Sequence, residues 1–301
     1  MIPFVREFDF EYGRVDRVSP RLRRVICNNP GPFTFTGTAT FIVGDDEVAV
    51  IDPGPIDEAH LTALMAALKD ERVTHILLTH THADHSPLAK ALQQRTGSPI
   101  LAAPPPARPT SASANEGNGG EGWDETAVFP PDRVLSDGET INGPDWSLTV
   151  MATPGHASNH LAFVLPQENA LLVGDHVMGW STSVVVPPDG SMADYMRSLD
   201  RVIAGDFSVL WPTHGPPVVH PAAFLEAYKA HRLDRERQIL ERLAAGDTAI
   251  PQMVAAMYLG LDPRLVPAAG QSVLGHLIKL AEDGRVTATP APTVDADWRL
   301  T

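Results

Sequence analysis

Thr79-His80-Thr81-His82-Ala83-Asp84-His85-Ser86 places four metal-capable side chains within six residues. An apolar-rich run at 73–78 comes directly before it, and Ser86-Pro87 and a helical pattern over 88–95 follow directly after. Apolar run, polar loop and amphipathic run in that order predict strand, loop and helix. Ser86 is expected as the N-cap and Pro87 as the first helical residue. The cluster then falls on the loop at the carboxyl end of a buried strand, where α/β proteins place their chemistry. Neutral imidazoles and a carboxylate suit Zn²⁺ or another borderline first-row ion. So tight a segment can hardly wrap all four groups around one ion. Two adjacent ions are expected, His80 and His82 on one, Asp84 and His85 on the other.

Three other places repeat the geometry. Thr153-Pro154-Gly155-His156 follows the strand-like 148–151 and offers another imidazole. Leu171-Leu172-Val173-Gly174-Asp175 ends an apolar run with a carboxylate. Val209-Leu210-Trp211-Pro212-Thr213-His214-Gly215 ends a third with a histidine. Each is a buried strand with a ligand at its end, beside Gly or Pro.

His80-x-His82-x-Asp84-His85, then His156, Asp175 and His214, resembles the metallo-β-lactamase superfamily of hydrolases over nearly the whole chain. A lone HxH carries little weight, but separate elements in order and at compatible spacing are specific. The resemblance implies an αββα sandwich. It assigns His80, His82 and His156 to a first metal and Asp84, His85 and His214 to a second, with Asp175 bridging. Two Zn²⁺ are the expected cofactors, with Fe or Mn as alternatives. Such a pair lowers the pKa of a trapped water, and the hydroxide attacks an ester, lactone, thioester or phosphodiester. Asp84 and Asp175 would position the nucleophile, and no Gly-x-Ser-x-Gly elbow is present for a serine mechanism. Asp175 argues against antibiotic resistance as the main role, since true metallo-β-lactamases carry Cys there or lack a bridging ligand.

Other segments narrow the branch. Asn29-Pro30-Gly31-Pro32-Phe33-Thr34-Phe35-Thr36-Gly37-Thr38 resembles the N-terminal signature of the β-lactamase-like-protein-two branch. Tyr195-Met196-Arg197-Ser198-Leu199 and a tail with His231-Arg232, Arg235 and Gln238-Ile239 fit the same branch. That branch adds a small winged-helix-like domain, and its animal members are described as single-strand-specific endoribonucleases. A glyoxalase II-like thioesterase is the alternative, its basic and Tyr residues echoed only loosely by Tyr228, Lys229 and Arg232. A non-hydrolytic iron protein of the sulfur dioxygenase type would need fewer ligands than stand here.

Composition bounds the partners. The chain has 301 residues, 43% of them hydrophobic, enough for one large α/β domain and a small appendix. The expected division is 1–221 for the hydrolase domain and 222–301 for the winged-helix-like domain. The N-terminal stretch carries Arg6, Glu7, Asp9 and Glu11 with no apolar core of a secretory signal, and a cytoplasmic setting is expected. No apolar stretch is long enough for a bilayer, so no membrane partner is expected. Cys27 is the single cysteine, which excludes an internal disulfide and reads as a small buried hydrophobe. The formal net charge is −14, with 9 basic and 10 acidic residues in 226–301, so the excess lies in the larger part. No basic stripe tracks a phosphate backbone. A small ester-like substrate is therefore favoured, with RNA as the alternative.

The remaining expectations are local. A hairpin turns at Gly44-Asp45-Asp46, and Asp57 caps a helix with Leu61, Leu64, Met65 and Leu68 on its apolar side. Residues 103–122 are Pro-rich, then Ala/Ser/Asn/Gly-rich, and read as a lid or a disordered insertion. Strands are expected at 147–152, 161–165, 170–174 and 207–211, and helices at 192–204, 222–245, 250–259 and 273–282, then a wing at 284–288. The helical tail would wall the cleft or make a homodimer contact. Asp52, at a strand end, should accept a ligand histidine's outer N–H. His160 is a candidate proton donor to the leaving group, or else a hydrogen-bonded structural histidine. His60 is placed on the exposed side of its helix, and His176 is expected to point away from Asp175. Lys229, His231, Arg232 and Arg235 form a basic cluster, either a solvated face or a contact for an anionic substrate.

Overall fold

The computed structural model describes residues 2–106 and 129–301. Its first sheet runs in chain order: β1 (Val15–Ser19), β2 (Leu22–Ile26), β3 (Ala39–Val43), β4 (Glu47–Ile51), β5 (Arg72–Leu77), β6 (Ile100–Ala102) and β7 (Arg133–Val134). β1 to β4 pair antiparallel, and β4 to β7 pair parallel through α1 (Glu58–Ala67) and α2 (Leu88–Thr96). The second sheet joins β8 (Thr140–Asn142), β9 (Ser147–Ala152), β10 (Leu161–Leu165), β11 (Ala170–Gly174), β12 (Val209–Pro212) and β13 (Val218–Val219) in the order β13-β12-β11-β10-β9-β8. Only β11 and β12 pair parallel there, and α3 (Met192–Ala204) makes their crossover.

Alternation along the strands explains the layers, because successive side chains leave opposite faces. In β4, Ala49 and Ile51 enter the core between the sheets, while Val48 and Val50 pack outward under α1 and α2. In β10, Leu161, Phe163 and Leu165 face inward and Ala162 outward, beneath α3. Strands buried on both faces need helices on both outer surfaces, and the result is the αββα sandwich.

The chain continues into α4 (Ala222–Ala244), α5 (Ile250–Met257) and α6 (Val266–Glu282), then a hairpin of β14 (Val286–Thr289) and β15 (Asp297–Leu300). This unit has its own core around Ile239, Met253, Val273, Leu277 and Trp298. α4 serves both cores, since Phe224, Leu225 and Tyr228 in its first turns pack with α3 against the second sheet.

Most expected elements appear within a residue or two, and several local expectations fail. Ser86 does not cap α2, because the turn at 82–86 uses it: its N–H and hydroxyl both reach His82 O. Pro87 precedes the helix, and Leu88 N–H is satisfied by Gly54 O instead. α5 ends at Met257 rather than running on to 259. α6 starts at Val266 rather than 273, since Pro267 stands in the first turn, where it interrupts no helix bond. His60 is buried, only 3% exposed, because the face of α1 that packs inward includes it along with Leu61 and Leu64. Asp57 does cap α1, accepting from His60 N–H at 2.9 Å. Most of the insertion expected at 103–122 lies outside the described residues.

Candidate metal centre

The loop after β5 brings His80, His82, Asp84 and His85 to one edge of the sandwich. The ends of β9, β11 and β12 bring His156, Asp175 and His214 to meet them. The side chains form two groups, His80 with His82 and His156, and Asp84 with His85, Asp175 and His214. Within each group the potential ligand atoms all lie within 4.8 Å of one another. Only Asp84 is not fully buried, its side chain 17% exposed.

Glycine makes two of these approaches. Gly174, at φ +57°, precedes Asp175, and a Cβ there would stand 2.6 Å from His160 Nε2. Gly155, at φ +142°, precedes His156, and a Cβ there would stand 2.3 Å from Tyr195 Cα in α3.

In the first group His82 Nδ1 lies 2.8 Å from His80 Nε2 and 3.0 Å from His156 Nε2. The outer nitrogens set which inner ones carry lone pairs. His156 Nδ1–H donates to Val184 O at 2.6 Å, which leaves Nε2 bare toward the cluster. Thr79 gives its hydroxyl proton to Asp52 Oδ2 at 2.7 Å, so its oxygen is left to accept from His80 Nδ1–H at 3.0 Å. Burial first, and then the neighbouring imidazoles, push His80 well below the usual histidine range and His82 down to about 3. These rings stay neutral, the form that binds metal.

The second group is built the other way round. Asp175 Oδ2 lies 3.4 Å from both His85 Nε2 and His214 Nε2, and 3.8 Å from His156 Nε2, facing both groups. Asp84 Oδ2 is 3.0 Å from His214 Nε2. His85 Nδ1–H donates to Asp52 Oδ2 at 2.9 Å, and His214 Nδ1–H to Gly37 O at 3.2 Å. Burial opposes protonation of His214, but Asp175 and Asp84 outweigh it and push its pKa up to about 10. His85 moves up likewise, burial again opposing Asp84, Asp175 and Asp52. Asp84 Oδ2, both Asp175 oxygens, His85 Nε2 and His214 Nε2 are buried without a hydrogen-bond partner. Buried polar atoms normally find partners, and five that converge on one another without hydrogen-bond geometry fit a bound cation.

Asp52 ties the centre together. It sits at φ +49°, a conformation costly for a non-glycine residue, and is 1% exposed. Besides His85 and the Thr79 hydroxyl it accepts Thr79 N–H at 2.8 Å and the Thr213 hydroxyl at 3.3 Å. The ends of β4, β5 and β12 are thereby linked through one carboxylate.

Residues 33–214 match the metallo-beta-lactamase superfamily, and 249–298 match the beta-lactamase associated winged helix domain. The chain belongs to the metallo-beta-lactamase superfamily. It is 28% identical to the lactamase-like protein adaB of Aspergillus niger over 95% of this chain and 91% of that protein. It is also 28% identical to an atrochrysone carboxyl ACP thioesterase of Aspergillus terreus, over 90% of this chain and 83% of that one. A metallo-beta-lactamase family protein from Thermus thermophilus superposes with TM-score 0.74 at 25% identity, covering 94% of this chain and all of the other. The hydrolase reading of the motif stands with this family.

Within this metallo-beta-lactamase centre, two expected contributors have other surroundings. His160 is 1% exposed, its Nε2 accepting Asp175 N–H at 3.1 Å and its Nδ1 facing Thr153 Oγ1 at 2.8 Å. The basic cluster on α4 divides, Arg232 turning inward while Lys229, His231 and Arg235 stay half-buried. Arg232 is 3% exposed and donates to Ser183 O, and Lys229 pairs with Asp200 at 2.6 Å. Arg235 lies over the Tyr258 ring. α4 is covered on two sides, so its polar residues point inward as well as outward. His176 does turn from the centre, its ring 4.6 Å from that of Tyr195. Among the described residues no helix is long and apolar enough to cross a membrane.

Several groups at the centre went unnoticed in the sequence. Thr79 and Thr213 each directly precede a histidine of the centre, a repeated Thr-His pair that was a readable sign. The carbonyls of Gly37 and Val184 carry no side-chain signature.

Proposed function

We propose that this chain is a dinuclear zinc hydrolase acting on thioesters or similarly activated small esters. Asp175 carries the reading. One carboxylate oxygen near the inner nitrogens of His85, His214 and His156 is placed to serve two ions at once. His80, His82 and His156 would hold one ion, Asp84, His85 and His214 the other, with Asp175 shared. Their imidazole and carboxylate donors suit Zn²⁺ ahead of Fe or Mn. Two such ions, when bound, supply an activated water and stabilise the oxyanion of an attacked carbonyl.

The chain's own residues orient and exclude. Asp52, Gly37 O, Thr79 and Val184 O hold the outer nitrogens of His85, His214, His80 and His156, so the inner nitrogens of these four face the site before substrate arrives. Asp84, the most exposed of the seven, is placed to take the proton of the nucleophile or pass one to the leaving group. The hydrogen bonds of His160 support its structural reading: it holds Asp175 through the backbone rather than meeting substrate.

Two considerations favour a small acyl substrate. Relatives at 28% and 29% identity are named as acyl carrier protein thioesterases. The net charge of −14 and the inward-turned Arg232 leave little cationic surface to neutralise a polyphosphate. The test compares hydrolysis of acyl thioesters, activated esters and lactones with cleavage of single-stranded RNA at physiological salt, each repeated with Asp84→Ala. Elemental analysis accompanies it. The expected outcome is about two zinc ions per chain and Asp84-dependent thioester or ester turnover. Efficient, Asp84-dependent RNA cleavage without ester turnover would replace the substrate reading. A single ion, unchanged after zinc supplementation, would replace the dinuclear one.

A further inference from the structure

The outer nitrogens of His80, His85 and His214 are held from within the sandwich, by Thr79, Asp52 and Gly37 O. That of His156 is different. Its acceptor, Val184 O, lies on the segment joining β11 to α3, and that segment is gripped from α4. Tyr228 Oη accepts Ser183 N–H at 2.5 Å and lies 3.1 Å from Ser183 Oγ and 3.3 Å from Ser181 O. Arg232, one helical turn on, donates through Nη2 to Ser183 O. Ser183 Oγ and the Tyr195 hydroxyl both close onto His176 O, at 3.0 and 2.7 Å. Gly275 of α6 stands behind the segment, where a Cβ would be 3.3 Å from Val185 O.

Arg232 is unusual in its setting. It is 3% exposed, and among the described residues no carboxylate lies within ion-pair reach of its guanidinium. Its guanidinium carbon lies over the Tyr195 ring, 5.0 Å from the centroid, and 5.9 Å from that of Tyr228. A buried cation without a counterion is costly, and two aromatic faces and one carbonyl only partly offset that cost. What the arrangement accomplishes locally is to fix Ser183 from both of its backbone polar groups, one residue before Val184.

We propose that Tyr228 and Arg232 are positioning residues for the histidine group, setting His156 through Ser183 and Val184 O. The proposal rests on the reading of that group as a metal site. It makes α4, the helix leading into the winged-helix unit, part of the binding apparatus for one ion and not the other. A carbonyl acceptor for a ligand's outer N–H fixes both tautomer and ring direction, and losing such a partner typically weakens metal affinity by about 10–100-fold.

Titration of the metal-free full-length chain with Co²⁺, followed by absorption, tests this. An Asp84→Ala background isolates the histidine group, and a His80→Ala background isolates the other. In the first, Arg232→Met should weaken Co²⁺ binding about tenfold or more, and Tyr228→Phe by a smaller factor. In the second, neither should matter. Val273→Ala, in the separate C-terminal core, should lower the melting temperature and leave both affinities unchanged. Equal weakening in both backgrounds, no weakening in either, or an equal effect from Val273→Ala would overturn the assignment. If Arg232→Met does not fold, Tyr228→Phe decides alone. A wild-type chain that binds no Co²⁺ would instead sink the metal reading, and this proposal with it.

Discussion

The two halves of the centre meet at Asp175 and are nevertheless built on opposite electrostatic principles. In the histidine group, burial and repulsion from neighbouring imidazoles keep His80 and His82 neutral. The carboxylate group holds two anions in the same dry environment, and there the histidines are driven to take up protons. The difference teaches what each half needs. The first needs its rings aimed, because neutral donors bind only in the right orientation. The second needs positive charge, because Asp84 and Asp175 are buried together.

The largest expected effect comes from removing what the halves share. Asp175→Asn should cut turnover by roughly a hundredfold or more and weaken binding of the second ion, with circular dichroism unchanged. Near-normal turnover with two ions bound would mean the halves work independently.

Asp52→Asn sharpens the contrast. It reverses the polarity of the hydrogen bond to His85, so affinity at the carboxylate group should fall about 10–100-fold. The histidine group, reached only through Thr79, should lose less. Equilibrium zinc competition in the two single-group backgrounds separates the cases, and an equal loss would show that Asp52 is a general scaffold.

Chelation extends the comparison to stability. Removing the ions leaves the buried ligand atoms that converge in both groups without the partner they surround, so the melting temperature should fall on metal removal and recover with zinc. Asp84→Ala removes one of those atoms and should shrink the difference between the two forms. A scan showing no metal dependence would contradict the role given to the cations.

The smallest effect is a check on the physics of the neutral rings. His60, outside both groups, has its pKa pushed down by burial from 6.5 to about 4. A depressed folded-state pKa contributes stability that is complete above the unfolded value and lost as pH falls toward the folded one. Between pH 7 and pH 5 this amounts to about 2 kcal/mol. Urea midpoints of the wild type and His60→Gln should therefore diverge at pH 7 and converge toward pH 5. Parallel curves would show that His60 is protonated without penalty.

The candidate ligands were legible because each ends a strand whose apolar run announces itself, and the order of those ends carries the family pattern. The αββα layering followed from the same runs. What stayed hidden depended on backbone or on the direction of polar side chains. Val184 and Gly37 act through carbonyls, which any residue could supply. Arg232 and His60 sit on helices whose polar residues are ordinarily assigned to solvent, and nothing local marks them as inward. Ser86 looked like a cap because the turn that consumes it closes onto His82, a contact set by the loop as a whole.

α4 runs from the core of the sandwich into the core of the winged-helix unit. Cutting the chain at residue 221 would bare the second sheet where Phe224, Leu225 and Tyr228 now cover it, whereas a cut after Ala244 would keep that cover and strand Ile239 and Leu243 in water. Neither half can shed the other without exposing apolar surface. The helix works as a common girder, so heat or denaturant should take both halves down in one transition.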